Sequence, residues 1–245
     1  MTSVFASDLH LSGSTPEKIT LFEAFVGHAA KCAQELFILG DLFEIWLGDD
    51  DDNCANVPII SALKRFSDVG GKLFVMHGNR DFLLGEDFAH ATGATLLSDW
   101  HIVKLANEPT LLTHGDLLCT KDVEYQAFRK HVRNPETQSA FLALPLATRR
   151  DVAANMRSGT QASMLEKDEF IMDVDHTTVD QIMREHNVAQ MIHGHTHRPA
   201  THKFDAHGTT RERIVLGDWY EHECSIIVSS NHELKRMSAT SFIGS

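Results

Sequence analysis

Three short apolar runs, residues 4–7, 35–39 and 72–76, are separated by stretches whose apolar residues recur at helical spacing. Ile19, Phe22, Phe25, Val26 and Ala29 mark a helix from Thr15-Pro16 to about residue 33, with Thr15 the expected N-cap and Pro16 the first helical residue. Ile59, Ile60, Leu63 and Phe66 mark a second over residues 58–68, stopped by Gly70-Gly71. A chain that alternates strand, loop and helix in this way pairs its strands side by side in one direction and covers the sheet with helices. The first hundred residues therefore predict a mainly parallel α/β sheet. Further strands are expected at 100–105, 110–113 and 189–192, and near 212–216 and 223–228. From Asp122 to about Asn187 the sequence reads helical throughout and is rich in basic residues: Arg129, Lys130, Arg133, Arg149, Arg150, Arg157 and Lys167. That is longer than an ordinary connection. The expected organisation is one domain over residues 1–245, interrupted by a helical insertion at about 122–187.

Composition narrows the function. With 42% hydrophobic residues the chain is not disordered, and no apolar run approaches the roughly 20 residues of a membrane span. A net charge of -12 argues against nucleic acid as a partner and against docking on anionic lipid by bulk charge alone. The cysteines (Cys32, Cys54, Cys119, Cys224) are scattered with no C-x-x-C pair, and the N-terminus has neither a basic region nor a long apolar one. A reducing, cytoplasmic location without a signal peptide is the expectation.

The chain has 16 histidines, and several stand where strands end. Five strand ends deliver Asp8 and His10, Asp41, Asn79, His114, and His195 with His197. Residues leaving the carboxyl ends of parallel strands meet on one rim. Carboxylate, imidazole and amide oxygen without thiolate suit Mn2+, Fe2+ or Zn2+ better than a structural thiolate site. Seven ligands are too many for one ion with an open position. They suit two ions about 3.5–4 Å apart, a pair that activates water and clamps phosphate oxygens in phosphoryl hydrolysis. A lone Asp-x-His or His-x-His is more often a surface loop than a ligand pair; the combination carries the inference. His28, His90, His131, His202 and His232 are read as ordinary histidines, residues 49–52 as a solvated acidic loop, and Glu44 and Asp81 as orienting or structural carboxylates.

In order, Asp8-Leu9-His10, Gly40-Asp41-Leu42-Phe43-Glu44, Gly78-Asn79-Arg80-Asp81, His114 and Gly194-His195-Thr196-His197 resemble the motifs of the calcineurin-like metallophosphoesterases. The resemblance implies a four-layer αββα sandwich in which Asp41 bridges two ions. It implies Asp8, His10 and His197 around one ion, and Asn79, His114 and His195 around the other.

Arg80 departs from that pattern, since many members carry His there to protonate an alkoxide leaving group. Arginine holds its proton near neutral pH but grips phosphate oxygens bidentately. It fits a leaving group that needs little protonation, and so points to pyrophosphate cleavage. The bland alternative is an ion pair with Asp81. Cys119 and Thr120, close to His114, suggest a covalent route, but no activating base is evident.

The stretches from His114-Gly115-Asp116 to Asp122, Ile171-Met172-Asp173-Val174, and His193 to Pro199 are similar to the UDP-2,3-diacylglucosamine diphosphatases of lipid A synthesis. The similarity spans essentially the whole chain, insertion included. It implies two Mn2+ per chain and a peripheral enzyme on the cytoplasmic face of the inner membrane. The implied reaction cleaves UDP-2,3-diacylglucosamine to UMP and 2,3-diacylglucosamine 1-phosphate. Substrate contacts are implied at Asn79, Arg80, Asp122, Thr160, Lys167 and His195, with Asn79, Arg80, His114 and His195 catalytic. Thr160 keeps the hydroxyl of the more usual Ser, whereas Met164 replaces a polar residue and its contact is not carried over. The apolar stretch 141–146 followed by Arg149-Arg150 fits a lid that sheathes acyl chains while its basic residues meet phosphate. Alternatives are another phosphoesterase of this fold (dinucleoside polyphosphate hydrolase, phosphatase or nuclease) or a non-catalytic binding scaffold, which should have lost ligands. Oligomeric state and acyl length are not readable.

Overall fold

The computed structural model describes residues 2–166, 173–206, 208–220, 224–230 and 233–245, the side chains of 157–166 excepted. Its strands are β1 (Ser3–Ala6), β2 (Glu35–Leu39), β3 (Lys72–Met76), β4 (Ala94–Leu97), β5 (His101–Leu105), β6 (Glu108–Leu112), β7 (Gln190–His193), β8 (Ala200–Ala206), β9 (Thr209–Val215), β10 (Ser225–Ser230) and β11 (Glu233–Ser238). Its helices are α1 (Pro16–Cys32), α2 (Asn56–Asp68), α3 (Glu86–Thr92), α4 (Val123–Val132), α5 (Pro135–Leu142), α6 (Leu146–Glu166), α7 (His176–Glu185) and α8 (Ala239–Ile243).

The strands form two mixed sheets, ordered β11-β10-β1-β2-β3-β4 and β5-β6-β7-β9-β8. Strands β1 to β4 are parallel, as are β6, β7 and β9; β10 and β11 in the first sheet and β5 and β8 in the second pair antiparallel with their neighbours. The apolar runs have no polar alternation because both faces of the first sheet are buried. Phe5, Phe37, Leu39 and Met76 face the second sheet, where Leu112, Ile192, Ile214 and Leu216 meet them. Phe37 stacks on Phe5 at 4.8 Å and on Phe74 at 4.6 Å between ring centroids, tying three neighbouring strands together. The alternate residues Val4, Ala6, Leu36, Ile38, Leu73 and Val75 face outward onto α1, α2, α3 and α8 through Phe22, Phe25, Leu63, Phe66, Phe88 and Phe242. The outer face of the second sheet packs Leu111 and Met191 against Val179 and Met183 of α7. The result is the expected αββα sandwich, in which each fully buried Leu, Ile or Phe contributes about 1.5–3 kcal/mol relative to exposure.

Several expectations change. Pro16 opens α1, but Thr15 makes no side-chain cap; its Oγ1 lies 3.4 Å from the Ser12 carbonyl instead. The segment expected as one helical insertion divides, because α7 belongs to the sandwich as the cover of the second sheet. Helices α4 and α5 bury almost nothing of their own: Val132 in α4 and no residue in α5. The acidic loop is not simply solvated. Asp49 accepts from Trp46 Nε1 (3.1 Å), Gly85 N and Phe88 N (3.0 Å each). Asp50 holds Arg149, and Asp51 and Asp52 hold Arg150.

Candidate active site

The loops after β1, β2, β3, β6 and β7 converge on one rim and bring all seven expected ligand residues together. Asp41 Oδ2 lies 3.8 Å from both His10 Nε2 and His114 Nε2, midway between two groups. In one, His10 Nε2 is 3.3 Å from His197 Nε2, which is 3.4 Å from Asp8 Oδ1. In the other, Asn79 Oδ1 is 3.1 Å from His114 Nε2 and 3.0 Å from His195 Nδ1. Asp8 reaches both: with His10 and His197, and with Asp41 and His114, its carboxylate forms sets whose ligand atoms all lie within 4.8 Å. Its other oxygen accepts from the His195 amide (2.9 Å) and from the Ser7 hydroxyl.

Backbone geometry explains the aim of these side chains. Asp8, His10, Asp41, His195 and His197 all have positive φ, between 49° and 69°. A left-handed residue other than glycine costs roughly 1–2 kcal/mol, least for Asp, Asn and His. In D-x-H and H-x-H both outer residues are left-handed, which breaks the extended path at each ligand. Such strain collects at functional sites. The glycines of G-N-x-D and G-H-x-H are required by close approach. A Cβ on Gly78 would overlap Asp41 Oδ1 and its backbone N, and one on Gly194 would overlap Ser7 Oγ and Asp8 Oδ2.

Asp81 has the structural role. It accepts from the backbone amides of Leu42 (2.7 Å) and Gly78 (2.8 Å), clamping the β2 and β3 loops together, and forms no ion pair with Arg80. The alternative reading of Arg80 as its partner therefore falls. Arg80 instead donates its backbone N–H to Asp41 Oδ1 (2.8 Å), and its side chain, with a buried Nε that makes no hydrogen bond, lines the cavity above the rim.

The donor set fits divalent cations. His10 Nδ1 faces Glu44 Oε2 at 3.2 Å, His197 Nδ1 faces Asp218 Oδ2 at 3.5 Å, and His114 Nδ1 is 2.9 Å from the Leu39 carbonyl. A ring nitrogen that faces an acceptor carries the proton, leaving Nε2 as a lone pair. The Nε2 lone pairs of His10 and His197 then point at one another beside two carboxylates, and Asp8 Oδ1 is buried without a hydrogen bond. With the ring protons so placed, acceptors converge on acceptors, an arrangement that a cation between them satisfies. Burial pushes the Asp41 carboxyl up despite the pull of His114 and His10, a penalty that a neighbouring cation removes. Burial, reinforced by His114, lowers His195 to about 4, so it is a neutral imidazole at pH 7.

A cavity of about 670 Å³ opens from the rim. His10, Asp41, Asn79, Arg80, His195 and His197 line it together with Asp122. Leu83, Phe128, Val132, Phe141, Ala153 and Met156 give the rest of its wall an apolar lining drawn largely from α4–α6. Asp122 also caps α4, accepting from the Tyr125 amide at 3.0 Å. Of the remaining expected contacts, Lys167 and the Thr160 side chain lie outside the described residues, as do the Met164 side chain and the Ile171-Met172 pair.

One expectation fails here. Four basic residues of α4–α6 do not face the cavity as phosphate ligands. Arg129 donates to Asp116 (2.6 Å) and Asp99 (2.8 Å), Arg133 to the Gly78 carbonyl (2.9 Å), and Arg149 and Arg150 to the acidic loop. Their role is attachment: Arg129 reaches the buried Asp116, and Arg149 and Arg150 tie α6 to the loop of Asp50, Asp51 and Asp52. The covalent route through Cys119, for which the sequence offers no activating base, is opposed here too: burial, with Asp116 adding to it, raises that thiol to about 12. Sequence reasoning missed Asp218 and Asp116. Asp218 was readable in principle, since Val215-Leu216-Gly217-Asp218 after β9 repeats the Ile38-Leu39-Gly40-Asp41 pattern after β2.

Comparison with known proteins agrees with this geometry. The family model for calcineurin-like phosphoesterase matches residues 1–199. A protein of Chromohalobacter salexigens named UDP-2,3-diacylglucosamine hydrolase is 48% identical over 89% of this chain and 89% of its own. Proteins of the same name from Cellvibrio japonicus (47%, over 90% of this chain and 92% of its own) and Salmonella typhi (46%, over 93% and 94%) are similar throughout. The chain belongs to the calcineurin-like phosphoesterase family, in the branch whose members carry the name UDP-2,3-diacylglucosamine hydrolase.

Proposed function

We propose that this protein is a metal-dependent hydrolase that cleaves the pyrophosphate of UDP-2,3-diacylglucosamine, with water attacking the α-phosphorus, to give UMP and 2,3-diacylglucosamine 1-phosphate. The carrying observation is one cavity that joins a dense cation-binding rim to an apolar wall of α4–α6, as a substrate with a diphosphate and acyl chains requires. The names of the 46–48% identical relatives support the same substrate.

In this reading Asp8, His10 and His197 hold one ion and Asn79, His114 and His195 the other, with Asp41 shared. The ions would be Mn2+, two per chain, and would supply water activation and neutralisation of phosphate charge. Arg80 forks onto phosphate oxygens and stabilises charge that develops on the diphosphate. It supplies no proton, and the departing sugar phosphate needs almost none. Neutral His195 and the Asn79 amide orient the same phosphate, while Asp122, Thr160 and Lys167 contact the rest of the substrate. Cys119, with its thiol raised to about 12, is not a nucleophile at neutral pH.

The enzyme works at the cytoplasmic face of the inner membrane as a peripheral protein. Exposed Phe128, Leu142, Leu144 and Met156 on α4–α6 support a contact with lipid, and among the described residues no helix is long and apolar enough to cross a membrane. The test is UMP release from UDP-2,3-diacylglucosamine with and without Mn2+, in 18O-water. Label in UMP is expected. Label in the sugar phosphate would refute attack at the α-phosphorus, and hydrolysis of a dinucleoside polyphosphate in preference to this substrate would refute the assignment.

A further inference from the structure

We propose that Glu44 and Asp218 are positioning residues that make the two cation sites unequal, the site built on His10 and His197 holding its ion more tightly than the site built on Asn79, His114 and His195. This rests on the two-ion reading above. The asymmetry lies in what stands behind each imidazole. His10 is backed through Nδ1 by the Glu44 carboxylate at 3.2 Å and His197 by the Asp218 carboxylate at 3.5 Å. His114 is backed only by the neutral Leu39 carbonyl, and the third donor of its group is the Asn79 amide. A carboxylate behind an imidazole fixes the ring and makes its other nitrogen a stronger donor; a carbonyl fixes the ring without adding charge.

Both carboxylates are built in rather than incidental. Asp218 and Glu44 are buried, and the backbone N–H of the next residue, Trp219, donates to the Asp8 carbonyl at 3.1 Å, tying the β9 loop to the β1 loop. Glu44 accepts from the Tyr220 hydroxyl at 2.9 Å. Beneath Tyr220, the buried ammonium of Lys18 from α1 stands 2.9 Å from the ring centroid and makes no hydrogen bond. A buried ammonium is costly unless anions face it, and the anions facing this one include Glu44 and Asp218. Helix α1 thereby places a positive charge behind the two carboxylates that back His10 and His197; the buried carboxylate beside His114, Asp116, pairs with Arg129 and Tyr125 rather than with a ring nitrogen of His114.

The experiment is a calorimetric titration of the metal-stripped full chain with Mn2+, on the parent and on Asp218→Asn, Glu44→Gln and Asp218→Glu. The parent should bind two ions in classes that differ by tenfold or more. Asp218→Asn and Glu44→Gln should each weaken the tighter class by about 10–100-fold and leave the weaker one within twofold. Asp218→Glu, which restores the charge, should recover part of the loss. Thermal unfolding of the metal-stripped variants should match the parent. A parent that binds fewer than two ions refutes the two-ion reading itself. Two equal classes in the parent, or a loss that falls on both classes alike, overturns the inference while leaving that reading intact. The parent titration decides this even if a variant fails to fold.

Discussion

The rim and the helical cover over the cavity are built on opposite principles. The rim hangs on the buried sheets, its ligands two to four residues beyond strands whose cores are almost fully enclosed. Its loops are strained, glycine-tight and clamped by Asp81. The cover, α4–α6, buries little and is attached by ion pairs: Arg129 to Asp99 and Asp116, Arg149 to Asp50, Arg150 to Asp51 and Asp52. Close packing fixes distances to a fraction of an ångström, as cation chemistry requires. Polar attachments hold a wall in place while leaving its apolar face for a ligand. One molecule thus separates the part that must not move from the part that must admit an amphiphile.

The sharpest break of this contrast is Asp41→Asn. Asparagine tolerates the left-handed backbone of residue 41 but removes the charge midway between His10 and His114. Hydrolysis should be abolished while circular dichroism and the unfolding midpoint of metal-stripped protein stay those of the parent. Substantial activity in this variant would refute a shared carboxylate at the centre of the rim. Next is Arg80→Ala, expected to lower kcat/KM by roughly 10²–10³, as loss of one charge-stabilising donor does. Arg80→His should not restore the reaction on the diphosphate, whose leaving group gains little from a general acid, but should favour an alkyl phosphodiester. Near-full activity of Arg80→Ala on the UDP-sugar would remove Arg80 from the chemistry.

The same contrast governs what could be read in advance. Each ligand sits within a few residues of a strand end, and Asp41, Asn79, His114 and His195 stand next to a glycine, so local chemistry marked Asp8, His10, Asp41, Asn79, His114, His195 and His197. Strands β1, β2 and β3 were legible because both faces are buried. The edge strands β4, β8 and β11 were not: sequences such as Thr201-His202-Lys203 on β8 are polar because an edge faces water. The attachments of the cover were invisible for another reason. Arg149 and Asp50 are 99 residues apart, and either alone reads as a solvated charge. Asp218 was hidden by its loop, although the repeated Leu-Gly-Asp after β9 was there to be noticed.

Arg149→Met tests whether the cover is held as described. The Arg149 side chain is 2% exposed, donates to the Leu47 carbonyl and to Asp50, and reaches the Leu144 carbonyl at 3.1 Å. Asp50, 65% exposed, returns to water when its partner leaves, so the loss is that of the buried hydrogen bonds, about 1–3 kcal/mol. KM for the acylated substrate should rise with limited proteolysis near residues 143–150, while Mn2+ affinity stays that of the parent. A fall in Mn2+ affinity equal to the rise in KM would show that rim and cover are one unit.

The smallest expected effect sits where the two regions join. Asp116 follows the ligand His114, accepts from the Tyr125 hydroxyl at 2.8 Å and holds Arg129 of α4. Burial pushes its carboxyl up, but His114 and Arg129 outweigh burial and hold it well below the usual carboxylate range. A carboxylate whose folded pKa is depressed stabilises the fold above its unfolded pKa, near 3.9, and loses that contribution as pH falls toward the folded value. Asp116→Asn keeps the shape and one acceptor, and Arg129 retains Asp99, so the parent's advantage should be only about 1 kcal/mol at neutral pH. Urea midpoints of parent and variant should differ by a constant amount from pH 5 to 8 and converge below pH 4. A difference that grows on acidification would mean that Asp116 is protonated in the folded protein, and the ionic joint between rim and cover would have to be replaced by a neutral one.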